Sequence, residues 1–514
     1  MTENSYEILG GDYERAGLAS KRLKEQLKRI GVATDILRRV MIAAYEAEMN
    51  VVIHGGGGMM TTLLDEQHVR VDVADAGPGM SDIDLAMTEG YSTAPPEARE
   101  LGFGAGMGLP NIRKNSDRFS VESSVGKGTR VCFTIRLRPQ EATAQKPNSL
   151  HLAAEACTQC LRCLPVCPTR ALRVRDGRPQ KLDYLCVDCS RCVSACASGA
   201  LTVQSSAGGL APAKDHVLVV SPPFLAQFGP PFSRQEIVDA LHEIGFGKVV
   251  ISEGAEAALR AAVLSHAEGR GGPVISGACP AVLNLIEARF PSLIENVAPF
   301  LSPLEAVREE LAGRRATFLV LCPAQETLVH LGQGPATVDT VRPDTLAAKV
   351  RPLLQKRSAP QAFPAGLPQD EDARIMRVSG LAHVVRVLEA IEDGLMADPV
   401  VLELYACDEG CFGSPLLHED AFVARRRHRY VRQTPAAIKA IPRTVPLAGR
   451  PGLRLDDNMA KAIEKLGQID RLLQSLPGKN CGLCGSPTCA TLAEDVLLGR
   501  AALKACRHVT ENSR

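Results

Sequence analysis

At 514 residues and 45% hydrophobic, the chain is too long for a single core and is expected to divide into several globular domains. Lys and Arg total 59 against 58 acidic residues, a net charge of +1, which removes any global electrostatic case for binding nucleic acid. Apolar runs such as Val217–Val220 and Phe318–Leu321 have strand length, and the polar, acidic start (Met1 to Glu7) lacks the form of a signal peptide, so a cytoplasmic protein without a membrane span is expected. Seventeen cysteines in that compartment point to metal rather than disulfides. Sixteen of them fall into four groups of four, leaving only Cys132.

Residues 1–138 carry helical spacing from Arg15 to Leu27 and from Asp35 to Val52, with Glu46 and Asn50 one turn apart on one face. An acid and an amide so paired can serve a magnesium ion and activate a nucleophile. Val69 to Ala74 alternates like a strand and runs into Asp75-Ala-Gly77-Pro-Gly79, where glycine lets backbone approach a ligand. A second cluster, Gly102-Phe-Gly104-Ala-Gly106-Met-Gly108, leads into a helix whose free amides suit phosphates. Gly126-Lys-Gly128-Thr129 then turns into the strand Arg130 to Ile135, on which Cys132 reads as a buried small hydrophobe.

In this order the set resembles the ATPase fold shared by histidine kinases, gyrase B and Hsp90, and most of all its short branch, the anti-sigma serine kinases. The resemblance implies ATP and magnesium. Asn50 would hold the magnesium, Asp75 would read the adenine amino group, and Gly77 and Gly79 would contact the base with Thr129 beside it. Gly102, Gly104, Gly106 and Gly108 would border the phosphates, and Glu46 would be the general base toward a serine or water. The ordinary histidine-kinase reading is disfavoured, because no phosphorylatable histidine with a dimerisation helix precedes the module. Residues 139–150, rich in Pro, Gln, Thr and Asn, read as a linker.

Residues 151–206 contain one C-x2-C-x2-C-x3-C motif written twice, at Cys157, Cys160, Cys163, Cys167 and at Cys186, Cys189, Cys192, Cys196. Three closely spaced thiolates wrap one corner of an iron–sulfur cube and the fourth reaches across to the other cube. Crossed ligation gives one 4Fe–4S cluster to Cys157, Cys160, Cys163 and Cys196, and the other to Cys186, Cys189, Cys192 and Cys167. Paired C-x2-C can also hold zinc, but four thiols this close, twice, fit a pair of cubes better. The segment resembles a bacterial two-cluster ferredoxin, with Ala197 where the first copy has Pro168.

Residues 207–445 alternate strands (Val217–Ser221, Lys248–Ser252, Pro273–Ser276) with helices (Arg234–Glu243, Ala255–Glu268), an α/β pattern. Cys279, Cys322, Cys407 and Cys411 fall along it, the first three near the ends of short apolar stretches. Their order and setting resemble the catalytic domain of iron-only hydrogenases, where four such thiolates hold a 4Fe–4S cluster and the last bridges to a two-iron unit. Against that family's pattern, Ala278 replaces a proton-relaying cysteine and Gln325 a cyanide-binding lysine. Val320 and Tyr405 stand where methionines pack the two-iron unit, and the tail after the last ligand shortens to Gly413-Ser414-Pro415. A cube without a reacting two-iron centre is the expectation. The basic run Arg425 to Arg429 lacks interleaved aromatics and reads as a solvated face, and Arg357 to Asp372 as a loop.

Residues 446–514 hold a helix from Asp456 to Leu476, then Cys481, Cys484 and Cys489, and Cys506 at the far end of an expected helix Ala490–Lys504. The spacing C-x2-C-x4-C-x16-C resembles the small 4Fe–4S module of electron-transfer complexes and corrinoid proteins. Zinc on the same four sulfurs is an alternative.

The expected architecture is multidomain α/β and α+β: a histidine-kinase-like ATPase sandwich, a double-cluster ferredoxin-like domain, a hydrogenase-like α/β domain and a small helical iron–sulfur module. Four 4Fe–4S clusters beside a nucleotide site imply a redox- or hydrogen-responsive regulator addressing a protein partner, either anti-anti-sigma-like or a hydrogenase or ferredoxin component. Two alternatives are an electron-transfer subunit of an oxidoreductase complex and a divergent sensory iron-only hydrogenase.

Overall fold

The computed structural model describes residues 2–100, 104, 106–139, 146–203, 212–229, 232–331, 338–357, 372–396, 398–431, 439–450 and 455–509. Gly102, half of the 139–150 linker and most of the expected loop 357–372 lie outside the described residues. The chain forms two compact units, one of residues 1–144 together with 449–514, the other of residues 145–448.

The first unit is built on five antiparallel strands: β1 (Thr2–Leu9), β2 (Gly57–Leu64), β3 (His68–Asp75), β4 (Arg118–Ser124) and β5 (Gly128–Arg136), in the order β1-β2-β3-β5-β4. Alternation sets the faces, for Val69, Val71 and Val73 on β3 and Val131, Phe133 and Ile135 on β5 are all buried on one side. Helices α1 (Leu18–Arg29) and α2 (Thr34–Asn50) share that core through Leu23, Leu27, Val40, Ala43 and Ala47. Cys132 has the opposite phase on β5, so it faces away from the core, half-buried, with Arg70 Nε donating to its sulfur at 3.2 Å. The reading of Cys132 as a core residue is thereby corrected.

Glu48 of α2 joins the two helices. Its buried carboxylate accepts the backbone N–H groups of Gly17, Ala19 and Ser20 and the Ser20 hydroxyl, at 2.8–3.1 Å. Those amides are the orphan donors of the α1 N-terminus, and α1 has no side-chain cap of its own. Beyond Asn50 the chain loosens into a π turn, Val51–Gly55, and stops at Gly56 with φ +64°.

Residues 455–509 complete this unit. The helix Met459–Gln474 buries Ala462, Ile463, Leu466 and Ile469 in the same apolar cluster as Tyr6, Ile8, Leu23, Leu27 and Ile30. The helix beginning at Cys489 ends at Leu497, well short of the expected Lys504, because Gly499 at φ +69° turns the chain. Cys506 follows a 3-10 turn, Leu503–Ala505.

The second unit contains two parallel sheets, as the alternating pattern predicts. One is ordered Lys248–Ile251, Val217–Val220, Ala316–Leu319, Val338–Val341; the other Val274–Ile275, Val401–Tyr405, Ile375–Ser379. The helices Arg234–Glu243 and Glu253–Ala267 lie where the pattern puts them, the first capped by Ser233 and Glu236 in a reciprocal box. Cys279, Cys322 and Cys407 each follow the carboxyl end of a parallel strand, where open α/β sheets receive ligands. A short antiparallel pair, Leu150–Leu152 with Leu201–Val203, encloses the doubled motif, and a hairpin, Leu172–Arg175 with Arg178–Lys181, separates its two copies. Thr327 Oγ1 and Ser149 N both donate to the Asp188 carboxylate, at 2.7 and 3.1 Å, tying that motif to the α/β part. The basic run is solvated in part: Arg426 is exposed, whereas Arg425 pairs with Glu409 at 2.8 Å, Arg427 with Glu419, and His428 lies 3.7 Å from Glu253.

Candidate functional site

Glu46 and Asn50 project from α2 toward the first residue of the helix Gly108–Asn115. A Cβ at Gly108 would stand 3.0 Å from Asn50 Oδ1 and 3.4 Å from Glu46 Oε2, so the glycine lets acid, amide and helix start share one small space. Asn111, one turn along that helix, donates Nδ2 to Glu46 Oε1 at 2.7 Å. Burial pushes the Glu46 carboxyl above its ordinary range, and the Asn111 hydrogen bond opposes the rise. Nothing in the sequence singled out Asn111, because its partner lies 65 residues away and only the packing of two helices brings them together.

At the end of β3, Asp75 Oδ1 accepts from Gly77 N at 2.8 Å and Thr129 N at 3.2 Å. These fix the carboxylate and leave Oδ2 able to receive an amino group. Gly79, at φ +70°, brings its backbone so near β4 that a Cβ would lie 2.1 Å from Ser124 O. Thr129 Oγ1 is 2.9 Å from Ser123 Oγ, and Ser123 accepts Met80 N at 2.8 Å. His54, in the π turn, is pushed below its ordinary value by burial, with Asp75 opposing. Gly104 and Gly106 have φ of +85° and +72°, and Gly106 O accepts Gly90 N at 3.0 Å. Glu46, Asn50 and Gly108 are thus brought together at one place, and Asp75, Gly77, Gly79 and Thr129 at another, with the glycines allowing close backbone approach at both.

The doubled motif has a doubled backbone. Gln159 and Leu161 in the first copy, and Asp188 and Ser190 at the matching positions of the second, all adopt φ near +55 to +60° (58, 60, 55 and 57°). Left-handed conformations cost a non-glycine residue about 1 kcal/mol or more each, and such strain gathers where a ligand holds the chain. A cavity of about 370 Å³ is lined by Cys167, Cys186, Cys189 and Cys192, which is the crossed set. The other set also gathers, with Cys157, Cys160 and Cys196 near enough to act electrostatically on Cys163, whose thiol burial pushes up to about 11. Backbone amides point at sulfur, Ala171 N to Cys167 at 3.2 Å and Gln159 N to Cys157 at 3.4 Å.

A second cavity of about 370 Å³ is lined by Cys279, Cys322, Cys407 and Cys411, and also by Cys189, Gln325, Tyr405 and Ser414. Burial pushes Cys407 to about 12 and Cys322 and Cys411 well above the ordinary range. Gln325 is held on the cavity wall, its Oε1 accepting Leu321 N at 2.7 Å and its Nε2 directed at Cys411 Sγ at 4.0 Å. Ser414 donates to Leu321 O, and the Tyr405 ring lies against Gly410. Tyr405 lines the cavity as expected of a residue replacing methionine, but Val320 does not: it is buried in the core with Val217, Val219 and Phe318. In the first unit a cavity of about 310 Å³ is lined by Cys481, Cys484, Cys489 and Cys506 together with Leu492.

Among the described residues no three His, Cys, Asp or Glu side chains converge as ligands of a single ion. Four thiols gathered around each of these three cavities fit a multi-iron cluster whose own charge stabilises the thiolates.

Comparison with known proteins finds matches along the chain. Four family models match: histidine kinase-, DNA gyrase B- and HSP90-like ATPase at residues 35–139, the 4Fe-4S dicluster domain at 150–197, the C-terminal domain of the iron only hydrogenase large chain at 214–309, and an Fe-S cluster family at 476–508. The chain is a multidomain α/β protein in which iron–sulfur domains are fused to a kinase-like ATP-binding module. It belongs to the family of RsbT, the serine/threonine-protein kinase of Bacillus subtilis, to which it is 30% identical over 108 residues, 20% of this chain and 75% of RsbT. The anti-sigma F factor of Clostridium acetobutylicum is 33% identical over 97 residues, 18% of this chain and 64% of that protein. An FeFe-hydrogenase of Chlamydomonas reinhardtii aligns over 45% of this chain and 86% of its own at 14% identity, with a TM-score of 0.31. Among the described residues no helix is long and apolar enough to cross a membrane.

Proposed function

We propose that the protein is a redox-responsive regulator in which iron–sulfur clusters set the phosphorylation or sequestration of a protein partner by the ATP-binding module. One observation carries this reading: acid, amide and glycine stay in register at Glu46, Asn50 and Gly108, while the hydrogenase-like cavity has a neutral amide, Gln325, fixed by Leu321 N and directed at Cys411, where the family's pattern has a lysine. Asn50 would hold magnesium and Asp75 the adenine amino group. Glu46, with Oε1 occupied by Asn111, would take the proton from a partner serine through Oε2 as the hydroxyl attacks the terminal phosphorus and ADP leaves. Losing the relay cysteine at Ala278 and the lysine at Gln325 removes proton transfer and a charged hydrogen bond, so turnover of hydrogen is not part of the proposal.

The sixteen grouped cysteines would hold four 4Fe–4S clusters, which supply one-electron redox chemistry when bound. The test is transfer of labelled phosphate to a serine-bearing anti-anti-sigma-like protein at poised potentials. Transfer that changes with potential supports the regulator, and transfer indifferent to potential counts against it.

A second reading, an electron-transfer subunit, draws on Asp188, Cys189 and Ser190 bordering two cavities at once, which would put two clusters close together. Reduction and reoxidation with a ferredoxin, unaffected by ATP, would favour it. Infrared bands of metal-bound CO and cyanide would instead restore the sensory hydrogenase.

A further inference from the structure

Of the four cysteine quartets, one is built into the ATPase unit. Leu492 both lines the cavity of Cys481, Cys484, Cys489 and Cys506 and belongs to the apolar cluster that contains Leu23, Leu27 and Ile30, as does Cys506 itself. Polar contacts pin the same junction. Leu455 N donates to Arg29 O at 3.1 Å, and Arg29 Nη2 meets the buried Glu494 carboxylate at 3.3 Å, on the helix that Cys489 begins. Arg29 is the last residue of α1.

The opposite end of α1 is held by Glu48, which lies two residues from both Glu46 and Asn50 on α2. A continuous run of contacts therefore leads from the cavity wall through Leu492 and Glu494 to Arg29, along α1 to Glu48, and so to the acid and amide of the nucleotide pocket. The lobe at 455–509 is about 55 residues long, a size at which an apolar core by itself is marginal and a bound metal or a host surface adds appreciably. Its cysteine loop between Gln474 and Cys489 has no helix or strand of its own.

Resting on the regulatory reading above, we infer that the quartet Cys481, Cys484, Cys489 and Cys506 is the one to which the nucleotide pocket answers. Its occupancy fixes the seat of the lobe on α1 and β1, and its loss loosens α1 and then α2. The quartets of the second unit have no part in this contact run.

The test uses the full chain prepared without oxygen and compares two double variants, Cys484→Ala with Cys489→Ala and Cys160→Ala with Cys163→Ala. Hydrogen exchange over residues 2–29 and affinity for ADP are the readouts. The first pair is expected to lose protection over 2–9 and 18–29 and to bind ADP about tenfold more weakly, while the second keeps both. Unchanged protection in the first pair, or equal loss in both, overturns the inference. Should the first pair fail to fold, Arg29→Ala decides: it keeps every cysteine and its cluster absorbance, and is expected to bind ADP several-fold more weakly, whereas wild-type affinity overturns the inference. A wild-type chain that binds no ADP refutes the regulatory reading, and the exchange contrast still decides the junction.

Discussion

Replacing Asn111 by leucine removes the donor to Glu46 Oε1 while keeping the size of the side chain, and its consequence has a definite sign. The amide at 2.7 Å favours the ionised carboxylate, whereas burial favours the protonated form. Without the amide, Glu46 rises further and its base form is lost at higher pH. A hydrogen bond to a charged group is worth about 1.5–3 kcal/mol, which corresponds to roughly a 10- to 150-fold smaller ionised fraction at a pH below the transition. The assay is the rate of phosphoryl transfer across the acid limb at saturating ATP, with Lys114→Ala on the same helix as an exposed control. The acid limb is expected to move to higher pH, with the rate recovering on the alkaline side. A uniform fall at every pH, with the limb unmoved, would mean that Asn111 matters only for folding and would refute this reasoning.

Glu48→Ala strips the acceptor from three buried backbone amides and the Ser20 hydroxyl, so the first unit should lose about 2–4 kcal/mol, read by chemical denaturation; less than 1 kcal/mol would contradict the capping role. In the second unit, burial pushes Glu403 up, but Arg260 at 2.6 Å and Arg377 at 2.9 Å outweigh it and hold the carboxyl below its ordinary value of 4.5. Its stabilisation is therefore present above the unfolded value and lost as pH falls through the lower folded one. Wild type and Glu403→Gln should differ in stability at neutral pH and converge as pH falls through that lowered folded value; a constant difference would contradict the pairing. Cys411→Ala is expected to lower the iron content by about four per chain and leave the other clusters' spectra intact, as iron analysis and paramagnetic resonance would check.

Much of this was legible because one period governs each element. Ile36, Leu37, Val40, Ala43 and Ala44 mark α2 from sequence, and Val69, Val71 and Val73 mark β3. The same alternation contained the correction for Cys132, which sits between Val131 and Phe133 and so on the other face. β1 was not foreseen, since an edge strand with acids at Glu3 and Glu7 buries only Tyr6 and Ile8. Asn111 and Glu48 escaped for a shared reason: each acts on a partner far along the chain, and no local pattern announces it. The spacing of Ile463, Leu466 and Ile469 told of a buried stripe on the helix Met459–Gln474 without telling that α1 and β1 cover it. Val320 misled because a position matched to another family's pocket points here into the core.

The account stands on the grouped thiols holding iron cubes. Iron and acid-labile sulfide, counted in the full chain purified without oxygen, test it most directly. About sixteen of each per chain, four for every quartet, is the predicted result. A colourless protein, or one carrying zinc alone, would contradict it.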